Sequence, residues 1–233
     1  MGHASGYYRH PTIHDEGIVF VSEDDLWTVG IDGGIARRLS ASPGTTTFPR
    51  LSPDGTQVAF TARDEGHPEA YVMDAGGGPL TRLTWMGSLT QVVGWTPDGQ
   101  KVIVSSDFQQ PFAGAMQLHA VPAVGGASEP MNVGVARAIS FQAGGNGVLL
   151  GRNTYDPARW KRYRGGTAGT LWMDRHGDGT FVKLIDLPGN LASPMWCGTR
   201  IYFISDHEGI GNLYSCTPTG RNLQRHTNHE DFY

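Results

Sequence analysis

Apolar residues along this chain gather in short runs, none longer than four residues, separated by turn-forming and charged positions. Runs of that length read as strands rather than as helices. Five of them, Ile18-Val19-Phe20, Val58-Ala59-Phe60, Val102-Ile103-Val104, Val148-Leu149-Leu150 and Ile201-Tyr202-Phe203, begin at intervals of 40, 44, 46 and 53 residues. A period in that range is the signature of a repeat architecture. Two of the five follow the same turn, Leu51-Ser52-Pro53-Asp54-Gly55 and Trp95-Thr96-Pro97-Asp98-Gly99. Pro fixes φ and Gly supplies positive φ, so each turn reverses one strand into the next. Phe141-Gln142-Ala143-Gly144-Gly145 and Trp196-Cys197-Gly198 are eroded versions.

A polar stretch and a second β-prone segment follow each run: Leu26-Trp27-Thr28-Val29, Ala70-Tyr71-Val72-Met73, Gln117-Leu118-His119-Ala120-Val121, Leu171-Trp172-Met173 and Leu213-Tyr214-Ser215-Cys216. Glycine turns come next, such as Asp32-Gly33-Gly34 and Val124-Gly125-Gly126, leading to short outer strands such as Arg37-Arg38-Leu39. Four strands per repeat joined by hairpins make one propeller blade. A blade cannot bury both faces alone, so blades stack radially and close into a ring. The expected fold is an all-β propeller of four-stranded antiparallel blades, five visible of an expected six. The blades are placed at about residues 9–46, 47–90, 91–135, 136–191 and 192–230, with a sixth beginning at 231–233. The pattern breaks off there, so the chain is expected to be a fragment of a longer protein. A complete five-bladed ring is the competing account. An unclosed ring leaves a bare strand edge, so the isolated chain is expected to be poorly soluble or oligomeric.

Composition agrees with turns and short strands. There are 33 glycines in 233 residues, about 14% and twice the usual share, and charged residues are 17%, below the usual quarter. The 18 basic and 22 acidic residues give a net charge of −4, which disfavours nucleic acid as a partner. The short apolar runs exclude a membrane-spanning helix, and the polar start carries no signal core. Two cysteines, Cys197 and Cys216, form neither a disulfide scaffold nor a zinc site, so a cytoplasmic setting fits best.

Candidate chemistry is scarce. No nucleophile elbow, phosphate-binding loop or dinucleotide fingerprint occurs, so no catalytic residue, metal ligand or cofactor site is assigned. His226-Thr227-Asn228-His229-Glu230-Asp231 offers imidazoles and carboxylates, but histidines three apart in extended chain point to opposite faces, and the stretch reads as a solvated loop. Asp24-Asp25, Asp64-Glu65-Gly66-His67 and Asp206-His207-Glu208-Gly209 recur between second and third strands, where they read as hairpin ends rather than cation sites. The densest signal is Arg159, Trp160, Lys161, Arg162, Tyr163 and Arg164. Four cations with two aromatics are suited to peptide carboxylates or a partner surface, or to a solvated insertion packed by its rings.

Taken together, several segments resemble the tricorn protease family. They are Gly17-Ile18-Val19-Phe20 with Asp24-Asp25-Leu26-Trp27, then Gly151-Arg152-Asn153-Thr154 with Trp160 to Thr167, then Arg200-Ile201-Tyr202-Phe203, and finally Arg225-His226-Thr227 with Asp231-Phe232-Tyr233. The resemblance spans nearly the whole chain and only the family's first portion, its N-terminal six-bladed propeller. It implies a large cytoplasmic serine peptidase, hexameric, that trims oligopeptides, with its catalytic residues in downstream domains that residues 1–233 do not contain. The implied role here is a non-catalytic scaffold and a passage or filter for oligopeptides. One departure stands out. Some members carry an arginine pair that grips the substrate carboxylate, and the matching stretch here reads Met86-Gly87-Ser88-Leu89, so anchoring is absent, moved to a cation such as Arg82, or done elsewhere. The alternative function is a free-standing TolB-like propeller that binds other proteins. A propeller hydrolase with a channel site is disfavoured because no convergent acid, base and nucleophile occur.

Overall fold

The computed structural model describes residues 6–154 and 165–230. Every regular element in them is a strand, and no helix is long and apolar enough to cross a membrane. Blade 1 consists of β1 (Arg9–His14), β2 (Gly17–Ser22), β3 (Asp25–Gly30) and β4 (Gly33–Arg38). Blade 2 consists of β5 (Thr46–Leu51), β6 (Gln57–Ala62), β7 (Glu69–Asp74) and β8 (Thr81–Arg82). In blade 3 the strands are β9 (Thr90–Trp95), β10 (Lys101–Ser106), β11 (Gln117–Pro122) and β12 (Glu129–Val135). Blade 4 has β13 (Ala138–Phe141), β14 (Val148–Arg152), β15 (Thr170–Asp174) and β16 (Val182–Lys183). Blade 5 has β17 (Leu191–Cys197), β18 (Arg200–Ser205), β19 (Asn212–Cys216) and β20 (Gln224–Arg225). Each blade is an antiparallel four-stranded sheet in chain order, as the hairpin spacing predicts for a propeller. The chain divides into two compact units, residues 1–132 with blades 1 to 3 and residues 133–233 with blades 4 and 5.

The turns that open blades 2 and 3 are locked by their own side chains. Ser52 Oγ donates to Asp54 Oδ1 and Thr96 Oγ1 donates to Asp98 Oδ1, both at 2.6 Å, with Gly55 and Gly99 at φ 71° and 69°. Asp54 also accepts the Thr56 N–H at 3.1 Å. These hydrogen bonds, Ser52 first, hold the Asp54 carboxyl down at about 2.

The middle strands of blade 2 lie between blades 1 and 3, so β6 and β7 are buried on both faces instead of alternating. In the first unit Val19, Val21 and Leu26 of blade 1 meet Val58, Phe60 and Met73 of blade 2, while Ala59, Val72 and Leu83 of blade 2 meet Val92, Trp95 and Val104 of blade 3. In the second unit Leu149, Leu171 and Met173 pack against Trp196, Phe203 and Tyr214. Phe60 stacks on Tyr71 at 6.0 Å and Phe203 on Tyr214 at 6.3 Å, the same cross-strand pair in two blades. Burying a side chain such as Phe60 contributes about 1.5–3 kcal/mol.

Candidate functional site

A repeated clasp accounts for three buried polar positions at the starts of third strands. In blade 1, Asp25 accepts the Ser40 hydroxyl at 2.8 Å and the Ser42 N–H at 3.2 Å, while Ser40 Oγ accepts the Leu26 N–H at 2.9 Å. In blade 2, Glu69 accepts Thr84 Oγ1 at 2.5 Å and the Gly87 N–H at 2.8 Å, and Thr84 accepts the Ala70 N–H at 2.8 Å. Blade 5 repeats it with Asn212 accepting Thr227 Oγ1 and the His229 N–H, both at 2.8 Å, and Thr227 accepting the Leu213 N–H at 2.9 Å. The partners are 15 residues apart every time. Asp25 thus closes the β2–β3 hairpin and, buried, also ties the outer strand to the linker. Asp64 to His67 and Asp206 to Gly209 do lie in the connections between second and third strands.

The innermost strands carry a second repeated feature. Their pairing slips between Arg9 and Thr12, between Thr47 and Arg50, and between Ala192 and Met195. Each slip contains an X-Pro step whose first residue has positive φ: His10 at 51°, Phe48 at 52° and Ser193 at 49°. Sterics push a residue before proline toward extended conformations, so these are held bulges. The His10 and Phe48 rings meet at 4.1 Å. In β9 the slip leaves Val93 without a partner. Arg50 covers it, donating from Nε to Val93 O at 3.4 Å and from Nη1 to Pro49 O at 2.9 Å, while Trp95 Nε1 donates to Arg50 O at 2.8 Å.

A cleft of about 420 Å³ opens beside the linker between blades 2 and 3. Arg63, His67, Ser88, Leu89, Asp107 and Phe112 are among its walls. Its Asp107 accepts the Leu89 N–H at 3.0 Å and the Gly114 N–H at 2.8 Å. Ser88 and Leu89 of the Met86–Leu89 stretch therefore border an open cleft. Arg82 is spent elsewhere: its guanidinium pairs with Glu65, lies 3.5 Å from Glu69 and stacks over Trp85 at 5.2 Å.

Two serine–histidine contacts occur among the described residues, and neither makes a nucleophile. Ser205 Oγ lies 2.9 Å from His207 Nδ1, but the hydroxyl is fully buried and also accepts the His207 N–H, a local turn. Ser215, equally buried, lies 2.7 Å from His226 Nε2 and accepts Arg200 Nε at 2.8 Å. His226 is exposed, tilted against Tyr202 at 5.3 Å, and begins a loop over residues 226–230. No group of three His, Cys, Asp or Glu that could hold a metal occurs among the described residues. Cys197 and Cys216 are both free thiols. The cluster of Arg159, Trp160, Lys161, Arg162, Tyr163 and Arg164 lies outside the described residues. The clasp and the bulges escaped the sequence reading, although the 15-residue spacing of Asp25–Ser40, Glu69–Thr84 and Asn212–Thr227 and the repeated X-Pro step could have disclosed both.

Comparison with known proteins places this arrangement. The family profile described as the tricorn protease N-terminal beta propeller domain matches residues 5–233. Tricorn protease homolog 1 of Streptomyces coelicolor is 46% identical over 99% of this chain, which spans 22% of that relative's length. Among solved structures, the crystal structure of the tricorn protease superposes with a TM-score of 0.89 at 34% identity, covering 98% of this chain and 23% of that one. A TolB structure from Agrobacterium tumefaciens shares the fold with a TM-score of 0.75 at 16% identity, covering 94% of this chain and 80% of that one. The chain is a member of the tricorn protease N-terminal β-propeller family.

Proposed function

We propose that this chain is the non-catalytic propeller of a tricorn-type serine peptidase, acting as scaffold and as passage or filter for oligopeptides. The observation that carries the reading is coverage: the family match runs through almost all of this chain and only about a fifth of a 46% identical relative, leaving room for catalysis elsewhere. Peptide-handling surfaces fit the innermost strands, which line the central channel of a propeller, and the Arg63–Phe112 cleft. Downstream domains of its own parent chain, further copies in a cytoplasmic hexamer, and oligopeptides are the partners this reading implies.

Steady-state hydrolysis of a peptide series tests it. The intact protein is expected to cleave oligopeptides, and residues 1–233 alone to cleave none. Turnover by the isolated chain, abolished by substituting a channel-facing carboxylate, would overturn the proposal. The likeness to TolB favours a second reading, a free-standing protein-binding propeller, through fold alone. A parent protein without peptidase activity would decide for it.

A further inference from the structure

We propose that Arg50 is an oxyanion-binding residue, presenting a guanidinium edge on the innermost strand of blade 2 to a carboxylate. A guanidinium has five N–H donors. Arg50 spends one on Val93 O and one on Pro49 O, carbonyls beside the bulges of β9 and β5, and no acceptor among the described residues takes the remaining three. No carboxylate among the described residues lies within ion-pair distance, although the side chain is half-buried. Burial lowers the Arg50 pKa, with no acidic neighbour to offset it.

A desolvated cation without a counterion is costly to maintain, and satisfying two carbonyls does not require a charge. Other partly enclosed cations of this unit do have counter-charges: Arg82 pairs with Glu65 and lies 3.5 Å from Glu69, and Arg9 pairs with Asp24 at 3.0 Å. Arg50 differs because its counter-charge is missing from the described chain, and its fixed planar fork matches the two oxygens of a carboxylate. Phe48, two residues before Arg50 on the same strand, meets the His10 ring at 4.1 Å. A peptide C-terminus and an acidic side chain share this chemistry. That a peptide carries it rests on the function proposed above; the oxyanion site does not.

Arginine modification by phenylglyoxal, read residue by residue by mass spectrometry on the intact protein, tests the site without requiring a variant to fold. Four additions are compared: succinate, an N-acetylated hexapeptide of neutral residues with a free C-terminus, the same peptide amidated, and the amidated peptide with one internal Glu. Exposed Arg37 serves as control. Succinate and at least one of the two carboxylate-bearing peptides should slow modification of Arg50 about tenfold while Arg37 is unchanged, and the neutral amide should protect neither. Free-acid and Glu peptides then separate terminal from side-chain recognition. By calorimetry R50Q should lose at least about tenfold in succinate affinity, with R50K in between. Protection by succinate without protection by any peptide upholds the oxyanion site and counts against peptide handling. Unaltered modification with succinate, an Arg50 that never reacts, or a folded R50Q that binds succinate as the parent does would overturn the proposal.

Discussion

Asp25 and Ser40 stand 15 residues apart in the chain, and the Ser40 hydroxyl donates to the Asp25 carboxylate at 2.8 Å. Through this contact the start of β3 holds both the end of the outer strand and the linker to the next blade. The same triangle at Glu69 and Asn212 shows that the position always supplies an acceptor, a neutral amide in blade 5, while in blades 1 and 2 the acid also meets a cation, Arg38 beside Asp25 and Arg82 3.5 Å from Glu69.

Removing that acceptor leaves a buried hydroxyl and a backbone N–H unpaired. Asp25→Ala and Glu69→Ala are each expected to cost about 2–4 kcal/mol by urea unfolding, from two or more lost buried hydrogen bonds. Asp25→Asn should cost less, and Asp15→Asn, whose side chain is 87% exposed, within about 0.5 kcal/mol. Equal, negligible losses for Asp25→Ala and Asp15→Asn would remove the clasp from the account.

Acid titration reports on the turn that opens blade 2. Asp54 sits at about 2 when folded, below its ordinary 3.8, because Ser52 and Thr56 donate to the ionised form. A depressed carboxyl contributes stability that is present above the unfolded value and is lost as pH falls from about 4 toward 2. The stability gap between the parent and Asp54→Asn should close over that window. A carboxyl carbon resonance of Asp54 that titrates with a midpoint near 4 would contradict the geometry.

His119 should act in a higher window. Its ring is buried against Phe108 at 6.3 Å, Nε2 lacks a hydrogen-bond partner, and burial lowers its pKa. Below about 6.5 the unfolded chain takes up the proton before the folded one does, so stability falls as pH drops through that value and is unaffected above it. His119→Met should flatten this part of the stability profile by one proton's slope. Superimposable pH profiles for the two proteins would show that the ring protonates freely in place.

The repeat was legible because its signals are local. Pro53-Asp54-Gly55 and Pro97-Asp98-Gly99 dictate their turns, and sandwiched second strands such as Val58-Ala59-Phe60 must be apolar on both faces. Outer strands were harder to bound: β8 is only Thr81–Arg82, because Leu83 and Thr84 turn into the core and the Glu69 contact instead of extending the edge. The site-level features depend on contacts between distant residues. Asp25 looks like any hairpin acid until Ser40 closes on it, His10-Pro11 and Phe48-Pro49 read as ordinary strand breaks, and Arg50 is unremarkable until Val93 O and Pro49 O define what its fork leaves over.

Peptide passage along the innermost strands is tested most directly by photo-crosslinking. A benzophenone-bearing oligopeptide is incubated with the intact protein, irradiated, and the adducts are mapped by mass spectrometry. Adducts within residues 6–230 should fall on Phe48 and the cleft residues Leu89 and Phe112, and should be competed away by unlabelled peptide. Adducts confined to exposed outer-strand residues such as Ile35, or insensitive to competitor, would contradict it.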